Sequence, residues 1–270
     1  MSEFFTSLEQ ILYADDIDKK FNDFFNFIDD FKSKKMLFNH EAANVLKDNF
    51  HPNLRLKEAI KIKRIKEPNS KQSLAVFLHA IAHIEFSAIN LALDTSYRFR
   101  FLPFDFYKDF LEVAEDEIRH FSLLEKALNE LGYKYTDFEA HDTIHSACKA
   151  TANSLKYRMA VVHRGLEAKG LDANVFVLKK IQNESLSLKK FLEETLKIIL
   201  DDEINHVSKG DIWWKANKDE QESFIEICAK FKSYVLAGKI LNKEARLKAG
   251  FDESELDELE DFYKNKHKFT

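Results

Sequence analysis

Apolar residues recur at intervals of three and four through most of the chain, with charged residues between them, which is the period of helices that bury one face. Four long segments carry the clearest stripes. The first helix is expected over residues 69–97, opened by Asn69 with Gln72 in a capping-box pattern. Its stripe is Leu74, Leu78, Ile81, Ala88 and Ala92, and the position that completes it is Glu85. Pro103 and Gly132 bracket the second helix, Pro at a start and Gly past an end. There the stripe is Phe106, Phe110, Val113, Leu124 and Leu131, interrupted by Glu117 and His120. The fourth helix, over residues 185–215, repeats this: Leu192, Leu196 and Ile199 lead into Glu203 and His206, and Gly210 continues the face.

The third segment differs. Residues 142–170 read as helical throughout, yet Glu167 falls near the end, whereas a bundle ligand belongs near mid-helix. If helices two and three run parallel, the ten residues from 132 to 141 span at most about 35 Å, too little to return along a helix and start a longer one. Residues 142–154 are therefore expected to form part of a crossover, with an irregular ligand helix starting later and passing Gly170.

Shorter helical patterns flank these segments at residues 5–13, 16–31 and 54–65, and again at 220–236 and 253–263. The expected organisation is an N-terminal helical extension (1–69) packed on a four-helix bundle (70–217), followed by a C-terminal helical appendage (218–270). Composition agrees: 6 Gly and 3 Pro in 270 residues leave little material for tight turns between strands. The 25 Phe fall largely at helical spacings, as in Phe21, Phe24, Phe25 and Phe31, which fits core packing. The fold class is all-α.

A net charge of -5 gives no general attraction to nucleic acid or to an anionic membrane. Arg55, Lys57, Lys61, Lys63, Arg64 and Lys66 form a basic run that reads as a solvated helix face. Cys148 and Cys228 are not in CxxC spacing, which argues against thiolate metal sites and suits a reducing compartment. The first residues lack a basic region followed by an apolar run, and eighteen consecutive apolar residues occur nowhere. The expectation is a soluble cytoplasmic protein without a membrane partner.

The chemistry lies in a stretch written twice, Glu115-Asp116-Glu117-Ile118-Arg119-His120 and Asp201-Asp202-Glu203-Ile204-Asn205-His206. Glu and His three apart on a helix project to one face, one turn apart. Glu85 stands 32 residues before Glu117, and Glu167 stands 36 before Glu203. Each half thus reads Glu, a helix and a turn, then Glu-x-x-His, the ligand pattern of di-iron and di-manganese carboxylate bundles. A single Glu-x-x-His is a frequent accident on charged helices. Two copies, each within an apolar stripe and each preceded by a lone Glu, are not. The candidate ligands are Glu85, Glu117, His120, Glu167, Glu203 and His206, for two metal ions, iron first and manganese as the alternative. Arg164 and Lys169 beside Glu167 suggest a competing surface ion pair. Asp116 and Asp202, each preceding a ligand Glu, are expected to orient the histidine of the other copy, Asp116 with His206 and Asp202 with His120. His79 and His83 face away from Glu85 and read as packing or hydrogen-bonding groups, while His163, one turn before Glu167, reads as an outer neighbour of the site.

Four runs carry a family resemblance: Leu78-His79-Ala80-Ile81-Ala82-His83-Ile84-Glu85, the two Asp-Glu-x-x-His copies, Leu166-Glu167-Ala168-Lys169-Gly170-Leu171-Asp172, and Asn242-Lys243-Glu244-Ala245-Arg246-Leu247-Lys248-Ala249-Gly250-Phe251. Together they resemble a bacterial ferritin-like family of uncharacterised function, domain of unknown function 455, over most of the chain. The resemblance implies a ferritin-like bundle with the six ligands above and no established reaction. More distantly the pattern is similar to that of a bacterial di-iron tRNA hydroxylase, from which His163 departs where a Pro is usual.

The function expected on these grounds is a di-metal oxidoreductase or hydroxylase in which the metal centre itself activates dioxygen or peroxide. Its substrate would be a small molecule or RNA, and its state a monomer or small homo-oligomer. Two alternatives stand beside it: iron handling by ferroxidase action or storage, and a bundle that serves as a non-catalytic interaction protein.

Overall fold

The computed structural model describes residues 2–42, 44–57, 70–180 and 186–266, with side chains described except at 174–180, 186–187 and 265–266. The chain is all-α, with one minor two-stranded pairing among the described residues. It divides into two compact units, residues 1–142 and 143–270.

In the first unit, α1 (Phe4–Leu12) and α2 (Ile17–Lys32) lead to the long pair α3 (Lys71–Arg98) and α4 (Phe104–Glu130). The starts of α1, α2 and α3 are each fixed by a side chain that accepts an otherwise orphaned backbone N–H. Asp16 accepts from the Lys19 N–H at 2.7 Å, and Ser70 from the Ser73 N–H at 3.1 Å. The α3 cap is thus Ser70, one residue after the predicted Asn69, which lies outside the described residues. Helix α4 follows Pro103 and ends in a Schellman motif. There the Tyr133 N–H reaches the Leu128 carbonyl at 3.0 Å and the Gly132 N–H reaches that of Asn129 at 2.9 Å, with Gly132 at φ +76°.

Helices α3 and α4 pack along their length and α1 lies on α3. Leu74, Leu78, Ala82, Phe86, Ile89 and Leu93 of α3 are buried, as are Phe110, Ala114, Phe121 and Leu124 of α4, and the rings of Phe86 and Phe121 meet at 5.5 Å. Each fully buried Leu or Phe contributes roughly 1.5–3 kcal/mol. Phe4 is central to the N-terminal aromatic core: its ring stacks on Phe38 at 4.3 Å and meets Tyr107 edge-on at 5.2 Å. Lys20 of α2 is buried as well, its Nζ donating to the Leu12 carbonyl (2.7 Å) and to Asn90 Oδ1 (2.8 Å).

The predicted helix over residues 54–65 is corrected at its start. Arg55–Leu56 is a strand, β1, paired in parallel with β2 (Glu139–Ala140). Backbone pairing to β2 overrides the amphipathic pattern. The rest of that segment, including Lys61, Lys63, Arg64 and Lys66, lies outside the described residues. Helix α3 has the length and apolarity to cross a membrane, but 67% of its most apolar window is buried within the protein, as befits a core helix.

The second unit centres on an unusual element. After α5 (Thr143–Ala150) and the short α6 (Leu155–Tyr157), residues Arg158–Leu166 form a π-helix that continues into α7 (Glu167–Lys180). The helix that carries Glu167 therefore starts after Ser154 and is irregular, as expected. Helix α8 (Leu186–Lys215) packs on the π-helix and on α7. The C-terminal elements α9 (Phe224–Lys230), α10 (Lys243–Lys248) and α11 (Glu253–Lys266) complete the unit. Helix α9 is shorter than the predicted 220–236. The chain turns at residues 231–234 so that buried Leu236 and the backbone N–H of Gly238 can meet the π-helix and α7, a tertiary demand that outweighs local helical pattern.

Candidate metal centre

Helices α3 and α4 each bring one carboxylate to the same point. Glu85 interrupts the apolar face of α3 halfway along, and Glu117 and His120 lie one turn apart on α4, all three buried. Their ligand atoms lie within 4.8 Å of one another. His120 Nδ1 is 3.2 Å from Glu117 Oε2 and 3.7 Å from Glu85 Oε2. Burial, reinforced by the neighbouring Glu117 charge, pushes the Glu85 carboxyl well above the ordinary carboxylate range. Glu85 Oε2 is buried and has no hydrogen-bond partner among the described residues.

Two adjacent buried carboxylates with one imidazole cannot both hold their charge without a compensating cation. A divalent metal supplies that charge and takes up the unused oxygen, and oxygen with imidazole donors suit iron, manganese or zinc. The cluster can therefore hold a metal.

The second unit carries the matching residues. On α8, Glu203 and His206 are both buried, one turn apart. Glu167 follows the π-helix directly, and its N–H bonds to the Val162 carbonyl five residues back. Its carboxylate shares a hydrogen bond with His163 Nδ1 at 2.9 Å, while its second oxygen is buried and has no hydrogen-bond partner among the described residues. Close packing holds this arrangement. A Cβ on Gly210 of α8 would stand 2.8 Å from the His163 backbone carbon and Cβ, so only glycine lets the two helices approach so nearly.

Two expectations about neighbours are settled within the units. Arg164 is not a surface partner of Glu167; it is fully buried and pairs with Asp211 and Glu255. Its signal in sequence was weak, since those acids stand 47 and 91 residues away. His79 and His83 act as hydrogen-bonding core groups. His83 joins Tyr135 Oη through Nδ1 (2.9 Å) and the His141 carbonyl through Nε2 (2.8 Å), and His79 Nε2 accepts the Thr136 N–H at 3.2 Å. Burial lowers both imidazoles to about 4. Asp116 is half-buried and accepts a 2.8 Å hydrogen bond from Arg119; Asp202 is half-buried on α8.

The model of a protein family described as "Protein of unknown function (DUF455)" matches residues 13–257. The chain belongs to the DUF455 family. A DUF455 chain thus carries all six candidate ligands inside the matched region. This chain is also similar to an uncharacterized protein of Haemophilus influenzae (strain ATCC 51907 / DSM 11121 / KW20 / Rd), at 41% identity over 201 residues, covering 70% of this chain and 68% of the relative. No solved structure matches this DUF455 protein.

Proposed function

We propose that this protein is a ferritin-like di-metal oxidoreductase, iron first and manganese as the alternative, acting with dioxygen or peroxide. The observation that carries the reading is the buried convergence of Glu85, Glu117 and His120, with Glu85 Oε2 left without a hydrogen-bond partner among the described residues. The second half repeats the same donor set in Glu167, Glu203 and His206, and in this reading both halves serve one centre. Asp116 and Asp202 would each orient the histidine of the other half, and their Asn variants would weaken metal binding by about 10- to 100-fold.

When bound, a pair of such metals supplies redox equivalents and Lewis acidity toward oxygen species. The chain's own contribution is geometry and charge. Its carboxylates balance the cations, the histidines fix orientation, and the surrounding Leu, Ala and Phe side chains exclude water. The substrate class, a small molecule or RNA, follows only from resemblance and is part of the proposal, as are a cytoplasmic location and a monomer or small oligomer.

The test is metal analysis after growth with iron and with manganese, then anaerobic iron loading and exposure to oxygen. About two metals per chain and an oxygen-dependent change in absorption are expected. Wild-type protein that holds no metal after such loading sinks the reading. Native mass separates the enzyme from iron storage, because a large hollow assembly would mean storage, and tight stoichiometric metal together with an oxygen-dependent spectral change would exclude the non-catalytic interaction protein.

A further inference from the structure

Three consecutive residues of the π-helix are gripped from outside it. Gly210 of α8 abuts the backbone of His163. Gly165 faces Leu236, whose Cδ1 would stand 3.1 Å from an added Cβ, while the Ala160 carbonyl would stand at 3.0 Å. Between them, Arg164 is fully buried and reaches three elements at once. Its Nε donates to Asp211 Oδ1 of α8 at 2.7 Å, and its Nη2 donates to both carboxylate oxygens of Glu255 on α11 at 2.9 and 2.8 Å. The guanidinium lies over the rings of Phe251 (3.8 Å), Phe224 (4.4 Å) and Trp214 (4.6 Å).

A buried guanidinium matched by two carboxylates and walled by aromatic rings tolerates little rotation, since its donors are fixed in a planar fork. Its backbone lies in the wide turn that immediately precedes Glu167. π-turns interrupt the regular i to i−4 ladder and need outside contacts to persist. Releasing Arg164 would let the segment relax toward an α-helix, rotating Glu167 by a fraction of a turn relative to α8.

We propose that Arg164 is a positioning residue, through which the C-terminal helix α11 holds the π-turn and thereby sets where the Glu167 carboxylate points. The proposal rests on the metal-centre reading of Glu167. It assigns a role to the C-terminal segment, which carries none of the six candidate ligands: Glu255 acts on Glu167 through Arg164.

The test uses the full chain with Glu255→Gln, Arg164→Lys and, as a control, Glu258→Gln, an exposed acid on the same helix. Glu255 has a partly exposed side chain, so its variant keeps the test usable even where Arg164→Lys fails to fold. Amide exchange is measured on the metal-free protein, and Co(II) binding is followed by its visible absorption bands. For Glu255→Gln, exchange over residues 158–167 should accelerate roughly tenfold, with α4 unchanged. Co(II) affinity should fall by about 10-fold or more, with shifted bands, while Glu258→Gln matches wild type. A Glu255→Gln protein with wild-type exchange in 158–167 and an unshifted Co(II) spectrum overturns the proposal, even where its melting temperature drops. Wild-type protein that binds no Co(II) overturns both the metal reading and the ligand role of Glu167, whereas failure of the clamp alone leaves wild-type Co(II) binding intact.

Discussion

His120 presents the same ring nitrogen, Nδ1, to Glu117 Oε2 at 3.2 Å and to Glu85 Oε2 at 3.7 Å, so one imidazole stands between carboxylates from two helices. Such an arrangement is stable when a cation shares it and costly when it does not. Glu117→Ala should abolish stoichiometric metal binding, and metal should raise the melting temperature of wild type but not of the variant. At metal a hundredfold above its dissociation constant, the stabilisation is about 2.7 kcal/mol. Calorimetry with and without chelator reads it directly, and a variant that gains as much from metal as wild type would exclude Glu117 as a ligand.

Much of the candidate ligand set was legible because its residues break a pattern. Glu85, Glu117 and His120 in the first unit, and Glu203 and His206 in the second, each sit where an apolar stripe demands Leu or Ala, and such interruptions are visible without coordinates. The bounds of α3, α4 and α8 followed from the same periodicity and from Pro103 and Gly132. What escaped was set by distant partners. Arg55–Leu56 is a strand because Glu139–Ala140 lies beside it, and Arg164 is buried because Asp211 and Glu255 meet it from far along the chain. The π-turn was foreseen only as irregularity, since nothing in the local composition of residues 158–166 names a hydrogen-bond register.

Lys20 makes stability depend on alkaline pH. Burial pushes its ammonium down from 10.5 to about 7, with Asp15 opposing weakly. Between about 7 and 10.5 the unfolded chain therefore binds more protons at this position than the folded one, so stability rises with pH across that window, by at most ~1.4 kcal/mol per unit. Urea unfolding at pH 7, 8 and 9 should show the rise, and Lys20→Met should flatten it. An equal slope in the variant would place the dependence elsewhere.

Asp172 is the anchor of the C-terminal segment. Its carboxylate accepts from Gly238 N (2.7 Å), Asn242 N (2.8 Å), and Arg246 Nε (2.9 Å) and Nη2 (2.7 Å), with both side chains buried. Asp172→Ala leaves a fully buried guanidinium without its counter-ion, a loss of about 3–5 kcal/mol. Limited proteolysis should then cut within residues 236–250 well before the first unit is attacked. Unchanged protection of that segment would show that the pair contributes little.

Gly210 offers the most local probe of the second half. A methyl group there meets His163 backbone and side-chain carbons at 2.8 Å, atoms that cannot yield without moving the π-helix. Gly210→Ala gains a few tenths to one kcal/mol in helix propensity, ~1 kcal/mol at most. The overpacking costs about 1–3 kcal/mol. The net change should be destabilising, and metal affinity should fall with it, because displacement of His163 carries Glu167 along. Thermal unfolding and metal titration on the same sample decide the matter. A Gly210→Ala protein more stable than wild type, with metal affinity unaltered, would mean that α8 and the π-helix have room to part without disturbing the site.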